Sequence, residues 1–297
     1  MRYSRMINAA SESGGAPEWA ASRSILAYGV RLGVRTNRPE AVDRLSEHFP
    51  PLWKAISACN VKRAFSIKFG GDELTNTRGA VHELFEDQEP GTKSRSLAKL
   101  LEDLERRMKM YVAEMAPRRV FVHAGVVGWK GQAIVIPGRS LTGKTSLVEM
   151  LVRAGATYYS DEYAVLDMTG RVHAYPQSLQ IRTPGTSRQK KVRAEEIGGT
   201  IGIKPLPVGL VVVSPYKAGG RWKPVQLSAG QAVLELLAHT LPARRKPEVV
   251  VRTLGKAVWE SITLKGVRGE AEEAAKLILE GYETGRFGSK TGSPLIK

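Results

Sequence analysis

The sequence predicts a mixed α/β protein, with one α/β domain from about residue 117 onward and a smaller α/β region before it. Three observations predict it. Short apolar runs of strand length alternate with stretches whose apolar residues recur every three to four positions, as in helices. Residues Gly138-Arg139-Ser140-Leu141-Thr142-Gly143-Lys144-Thr145 spell the complete pattern G-x-x-x-x-G-K-[ST]. That pattern also has the neighbours it needs: the strand-like run Ala133-Ile134-Val135-Ile136 before it, and a helix-spaced run over 146–153 after it, stopping at Gly155. A strand that turns through glycines into a helix N-terminus converges backbone N–H groups on one point, and the helix dipole reinforces the anion site.

Taken in order, residues 1–20 are small and polar around Ser13-Gly14-Gly15-Ala16-Pro17 and read as a loose arm. The stretch 25–35 is strand-like, and 39–47 reads as a short helix opened by Asn37. Residues 63–69 alternate as a strand and stop at the turn Gly70-Gly71-Asp72. A long amphipathic helix is expected over 94–116, because Leu97, Leu100, Leu101, Leu104, Met108, Tyr111, Val112 and Met115 fall at helical spacing; Pro117 ends it. Residues 120–128 and 132–136 read as strands joined by Trp129-Lys130-Gly131 and feeding the glycine loop. Beyond the loop helix, 157–167 is strand-rich, and Met168-Thr169-Gly170-Arg171 turns the chain into Val172-His173-Ala174-Tyr175. A buried strand is expected at 208–213 and another at 261–264. Ser228 and Gln231 form a capping box for a helix carrying Val233, Leu234, Leu236 and Leu237, and further helices are expected at 248–258 and 270–280. Residues 284–297 read as a flexible tail, so the expected organisation is an arm (1–20), an N-terminal α/β region (21–116), the loop-bearing domain (117–283) and the tail.

Composition narrows the setting. A chain of 297 residues with 42% apolar content can bury a sizeable core, in one or two domains. The single cysteine, Cys59, excludes an internal disulfide and suits a reducing compartment. The longest apolar run, at 208–213, is soon broken by Pro215, so no membrane span is expected; with no apolar signal segment at the start, a cytoplasmic location is. The formal charge of +16 invites a nucleic-acid reading, and clusters such as Arg182, Arg188, Lys190, Lys191 and Arg193, or Arg244-Arg245-Lys246, carry much of it. The chain carries none of the usual nucleic-acid-binding motifs, and an acidic peptide or phosphorylated partner accounts for the charge equally well.

Chemistry concentrates in three places. In the loop, Gly138 to Ser146 would wrap a nucleotide's phosphates, Lys144 would reach the outer ones, and the Thr145 hydroxyl would ligate Mg²⁺. Phosphoryl transfer also needs a group that orients or deprotonates the acceptor, and Asp161 and Glu162 are adjacent carboxylates just past the loop helix. On a strand they would point to opposite faces, one toward the acceptor and one toward the metal. A plain solvent-exposed turn fits the same residues, and the sequence leaves both open. His123, within Phe121-Val122-His123-Ala124-Gly125, is either a satisfied core histidine or a group that holds the acidic base.

His123-Ala124-Gly125, the loop and Asp161-Glu162 together resemble the catalytic domain of the bacterial HPr kinase/phosphorylase family, whose phosphate-loop fold is of the HPr kinase/PEP carboxykinase type. The spacings of fifteen residues from His123 to Gly138 and twenty-three from Gly138 to Asp161 match that family's pattern. Pro176-Gln177-Ser178-Leu179 is similar to its Pro-x-x-Leu stretch, and residues 196–203 to a degraded form of its Glu-Ile-Arg-Gly signature. The likeness covers about 119–183, weakens to about 213 and is absent from 1–90. It departs at Arg139 and Leu141 in the loop, at Glu162 in place of a second Asp, and at Gly198 in place of the signature arginine.

The resemblance implies an ATP- and Mg²⁺-dependent kinase that moves the γ-phosphate to a hydroxyl, a serine of a peptide or protein foremost. It implies Asp161 as the catalytic base with His123 beside it, Lys144 and Thr145 on phosphate and metal, and Glu162 as the second metal group. It also makes self-association a reasonable expectation, while the lost arginine argues against the reverse, phosphorylase reaction. Two other readings stay open: a regulatory module that binds nucleotide without transfer, and a kinase of a small-molecule hydroxyl. A nucleic-acid-linked NTPase is the least favoured.

Overall fold

The computed structural model describes residues 19–57, 60–71, 79–139, 142–182 and 189–288. Cys59, Ser140, Leu141, Arg188 and most of the expected arm and tail lie outside the described residues. The chain divides into two compact units. One comprises the chain up to Leu26 with Arg31–Phe49 and Ala55–Arg106; the other comprises Ala27–Val30, Pro50–Lys54 and everything from Arg107 onward.

The first unit is built on a six-stranded sheet of β1 (Ala21–Ala27), β2 (Val30–Thr36), β3 (Lys54–Ile56), β4 (Ala64–Lys68), β5 (His82–Glu86) and β6 (Glu89–Ser94), in the order β3-β1-β2-β4-β5-β6. The strand-like stretch at 25–35 is in fact two strands. Tyr28 and Gly29 reverse the chain between them at φ 48° and 83°, the twist that a tight hairpin requires. β2 and β4 are parallel, and β5 and β6 continue the sheet antiparallel. Helix α1 is short, Ala41–Arg44, and runs on into a 3-10 turn at Leu45–His48. Its N-cap is Glu40, a correction to the expected cap at Asn37. The Asn37 amide instead bonds the Phe69 backbone in both directions, at 3.0 and 2.8 Å. Helix α2, Leu97–Met115, buries Leu100, Leu104, Met108 and Val112 at the predicted spacing, and the boundary between the units falls within it.

The second unit is an eight-stranded mixed sheet with helices over both faces. Its strands are β7 (Arg119–Trp129), β8 (Gln132–Pro137), β9 (Thr157–Ser160), β10 (Tyr163–Asp167), β11 (Val172–His173), β14 (Val208–Val213), β15 (Val225–Gln226) and β16 (Ile262–Lys265). A separate two-stranded ribbon pairs β12 (Leu179–Arg182) with β13 (Gln189–Val192). The order is β11-β10-β7-β8-β14-β16-β15, with β9 also on β7. β8, β14 and β16 are mutually parallel, while β7 is antiparallel to β8, β9 and β10. The helices are α3 (Lys144–Arg153), α4 (Ala229–Leu237), α5 (Pro247–Val258) and α6 (Ala271–Glu283).

Period-two alternation sorts the strand side chains between two cores. Ile134, Ile136, Leu210 and Val212 join Leu147, Leu151 of α3 and Ile278 of α6. Ala133, Val135, Val211 and Val213 join Leu236 of α4 and Leu254 of α5. A register shift between Val208 and Leu210 puts Val208 in the same cluster as Val211, which strict alternation forbids. α4 opens on the capping box read from the sequence: the Ser228 N–H donates to Gln231 Oε1 at 3.0 Å and the Gln231 N–H to Ser228 Oγ at 3.4 Å. No helix among the described residues is long and apolar enough to cross a membrane.

Candidate nucleotide and phosphoryl-transfer site

β8 ends at Pro137 and α3 begins at Lys144, so the glycine pattern is the turn between a buried strand and a helix N-terminus. Gly143 occupies the N-cap at φ 81°, a left-handed conformation that any side chain would strain. Among the described residues no side chain caps α3, and its first-turn N–H groups face the position an anion would take. The loop is tied down around its described residues: Gly138 N–H donates to His123 O at 3.2 Å and Thr142 Oγ1 to Arg139 O at 2.8 Å.

Lys144 is buried, and its Nζ lies 3.3 Å from His123 Nε2. With the ammonium as donor, that nitrogen accepts and the ring proton sits on Nδ1. Burial first, then the charges of Lys144 and His239, push His123 down to about 4, so its ring is neutral at physiological pH. Burial lowers Lys144 as well, opposed by the carboxylates of Asp161 and Glu162. Gly125 explains how lysine and histidine come together: a Cβ there would sit 2.4 Å from Val148 Cγ2 and 3.2 Å from Lys144 Cγ. The absent side chain lets α3 lie close on β7 with the lysine stem between them.

Asp161 and Glu162 occupy a bend between β9 and β10, not a strand, which corrects the expectation that they point to opposite sheet faces. The buried Ser160 makes the bend: its Oγ accepts from the N–H groups of Glu162 (3.0 Å) and Tyr163 (2.9 Å). Thr145 Oγ1 donates to Asp161 Oδ2 at 2.7 Å, while Lys109 Nζ of α2 lies 3.2 Å from Glu162 Oε2. The Thr145 hydroxyl is thus bonded to Asp161, the first of the two adjacent carboxylates. Burial raises Asp161 to about 6, against the opposing pull of Lys144 and the Thr145 hydroxyl.

Asp161 Oδ1 is buried and has no hydrogen-bond partner among the described residues. An orphaned carboxylate oxygen beside a loop hydroxyl fits a hard cation that takes one or two protein oxygens and completes its shell with phosphate and water, as Mg²⁺ does. Among the described residues no cluster of three or more His, Cys, Asp or Glu side chains is arranged for a metal.

Three residues near this cluster escaped the sequence reading. Lys109 sits mid-helix, where only its position among buried α2 residues marked it. His239 donates no motif, yet its carbonyl accepts the His123 N–H at 2.8 Å. Arg268, 1% exposed, donates to Gly143 O at 2.6 Å. In the first basic cluster, Arg182 is exposed on β12 and Arg193 is exposed with Glu195 as its ion-pair partner. Part of the second basic cluster is used internally, Arg245 on Glu114 and Lys246 on the Ala116 carbonyl. A cavity of about 600 Å³ lined by Gln132, Arg171, Arg252, Lys256 and Trp259 opens at the end of β8 away from the loop and holds none of the site residues.

No family model matches the chain, and no curated protein sequence matches it. Among solved structures, the Hpr(Ser) kinase/phosphatase from Coxiella burnetii is similar at a TM-score of 0.35 and 10% identity, covering 57% of this chain and 99% of that one. A likeness of that size carries no weight for the site, which stands on its own geometry.

Proposed function

We propose that this protein binds ATP with magnesium and transfers the terminal phosphoryl group to a hydroxyl, a serine of a peptide or protein foremost. The observation that carries the reading is the convergence of Lys144, Thr145 and Asp161, with the Thr145 hydroxyl 2.7 Å from the Asp161 carboxylate. Two segments separated in sequence thereby meet at one anion- and cation-ready point.

In this reading the α3 N–H groups and Lys144 hold the phosphates, Lys144 exchanging its neutral partner His123 for phosphate oxygen. Thr145 and Asp161 would hold the magnesium, as a loop hydroxyl and an aspartate do in phosphate-loop enzymes. Bound there, the ion offsets the charge that develops on the phosphate oxygens. Glu162, held by Lys109, takes the acceptor's hydroxyl proton; the new O–P bond forms as the bond to the leaving diphosphate oxygen breaks and its electrons depart with ADP. The roles of the two carboxylates are thus exchanged relative to the sequence reading. The reason is that Asp161 already faces Thr145, whereas Glu162 faces a cation.

The test uses γ-labelled ATP with an extract of source cells, alongside direct ATP binding. Lys144→Ala is expected to weaken MgATP binding roughly 10- to 100-fold, the loss of a charge-assisted contact. Glu162→Gln is expected to keep MgATP binding and lose transfer, while Asp161→Asn loses the magnesium dependence of both. Tight MgATP binding with no label passed to any protein or small molecule would turn the reading into that of a nucleotide-sensing module.

A further inference from the structure

We infer that Tyr216 is the platform on which the base of the bound nucleotide stacks; this rests on the nucleotide reading above and adds where the base goes. β14 and β16 run parallel to β8, so the segments that follow them emerge at the same sheet edge as the glycine loop. Open α/β sheets bind ligands beyond the carboxyl ends of such strands. The acidic bend lies on the other side of β8, across β7. A triphosphate with its outer end at Lys144 and Asp161 therefore directs its sugar and base toward β14 and β16.

Two segments are knitted together at that position. Arg268 N–H donates to Pro215 O at 3.1 Å and Lys217 N–H to Arg268 O at 2.9 Å. They are also joined to the loop, by Tyr216 N–H to Thr142 O at 3.3 Å and by Arg268 to Gly143 O at 2.6 Å. The Tyr216 ring is held from two further directions. Its hydroxyl donates to Glu270 Oε1 at 3.1 Å, and the buried Arg268 guanidinium lies 5.6 Å from the ring centroid. Arg268 Nε is buried beside the loop with no hydrogen-bond partner among the described residues. Fixed in this way, Tyr216 is still 47% exposed. An aromatic surface that is immobilised, backed by a cation and adjacent to a phosphate loop suits a nucleobase, which stacks through its π-face. The exposed Glu270 carboxylate beside the ring is an acceptor for a sugar hydroxyl.

The test is calorimetric titration of the full chain with magnesium–ATP and, separately, magnesium–tripolyphosphate, which has the phosphates without sugar or base. Tyr216→Ala is expected to weaken ATP about tenfold, the loss of one stacked base, and to leave tripolyphosphate affinity unchanged. Tyr216→Phe keeps the ring and most of the ATP affinity. Unchanged ATP affinity in Tyr216→Ala, or equal weakening toward both ligands, overturns the platform while leaving the phosphate site intact. A wild-type chain that binds tripolyphosphate as tightly as ATP overturns it too. A wild-type chain that binds neither ligand removes the nucleotide reading and this inference with it.

Discussion

The Thr145 hydroxyl and the Asp161 carboxylate, sixteen positions apart, are joined by a hydrogen bond of 2.7 Å. One residue belongs to the first turn of the loop helix, the other to the bend beyond β9, so the bond couples the phosphate loop to the strands on the far side of β7.

If both residues serve one magnesium ion, their losses cannot add. Thr145→Val and Asp161→Asn should each weaken magnesium-dependent ATP binding about tenfold, and the double variant should be no weaker than the poorer single one. Titration of all four proteins with ATP, with and without magnesium, makes the comparison. Additive losses would place the two residues on separate tasks.

Asp161 should cost the empty protein stability. Its folded pKa of about 6 lies above the roughly 3.9 of an unfolded aspartate. The ionised carboxylate is therefore the disfavoured form in the fold: the penalty is complete above pH 6, shrinks as pH falls, and is gone below about 4. Asp161→Asn keeps an acceptor for Thr145 without the charge, and should stabilise the ligand-free protein by roughly 1–3 kcal/mol at pH 8. Thermal unfolding at pH 8 and pH 4 should show the gain only at the higher value.

Gly125→Ala should damage the site without touching a charged group. The added methyl meets Val148 at 2.4 Å in a packed interior, so α3 must move off β7 and take Lys144 with it. Overpacking of this kind costs about 1–3 kcal/mol, and ATP affinity should fall together with the melting temperature. A variant with normal stability and normal affinity would contradict the close approach.

Asp167 has the opposite sign. Burial raises its pKa, but hydrogen bonds from the Thr169 side chain, His173 and the backbone of Thr169 and Arg171 prevail and bring it down to about 2. Its contribution is present above the unfolded value near 3.9 and is lost as pH falls toward 2. Asp167→Ala should lower the melting temperature by a few degrees at pH 7, with the difference from wild type closing between about pH 4 and pH 2.

What the sequence made legible was local. The β7–β8 hairpin, the loop and α3 are written in an apolar run, a glycine pattern and a helical spacing, all within neighbouring residues. Leu100, Leu104, Met108 and Val112 announced α2, and Ser228 with Gln231 announced the start of α4. The β12–β13 ribbon was not readable, because Gln189-Lys190-Lys191 offers no alternation of apolar and polar residues. Nor was the pairing of Thr145 with Asp161. It depends on the register of β9 against β7 and on Ser160 turning the chain at that point, both properties of the assembled sheet. Lys109 and Arg268 were hidden for a related reason: each is an ordinary basic residue in sequence, and only burial against a specific carboxylate or carbonyl gives it a role.

β7 has strands on both sides, β8 along one edge and β9 and β10 along the other, and the His123 N–H is further occupied by the His239 carbonyl. Deuterium should therefore enter its backbone amides last, only when the sheet opens as a whole, while the short β11 and β15 margins exchange early. The wall carrying His123 thus behaves as a stationary anvil, the last part of the sheet to let solvent in.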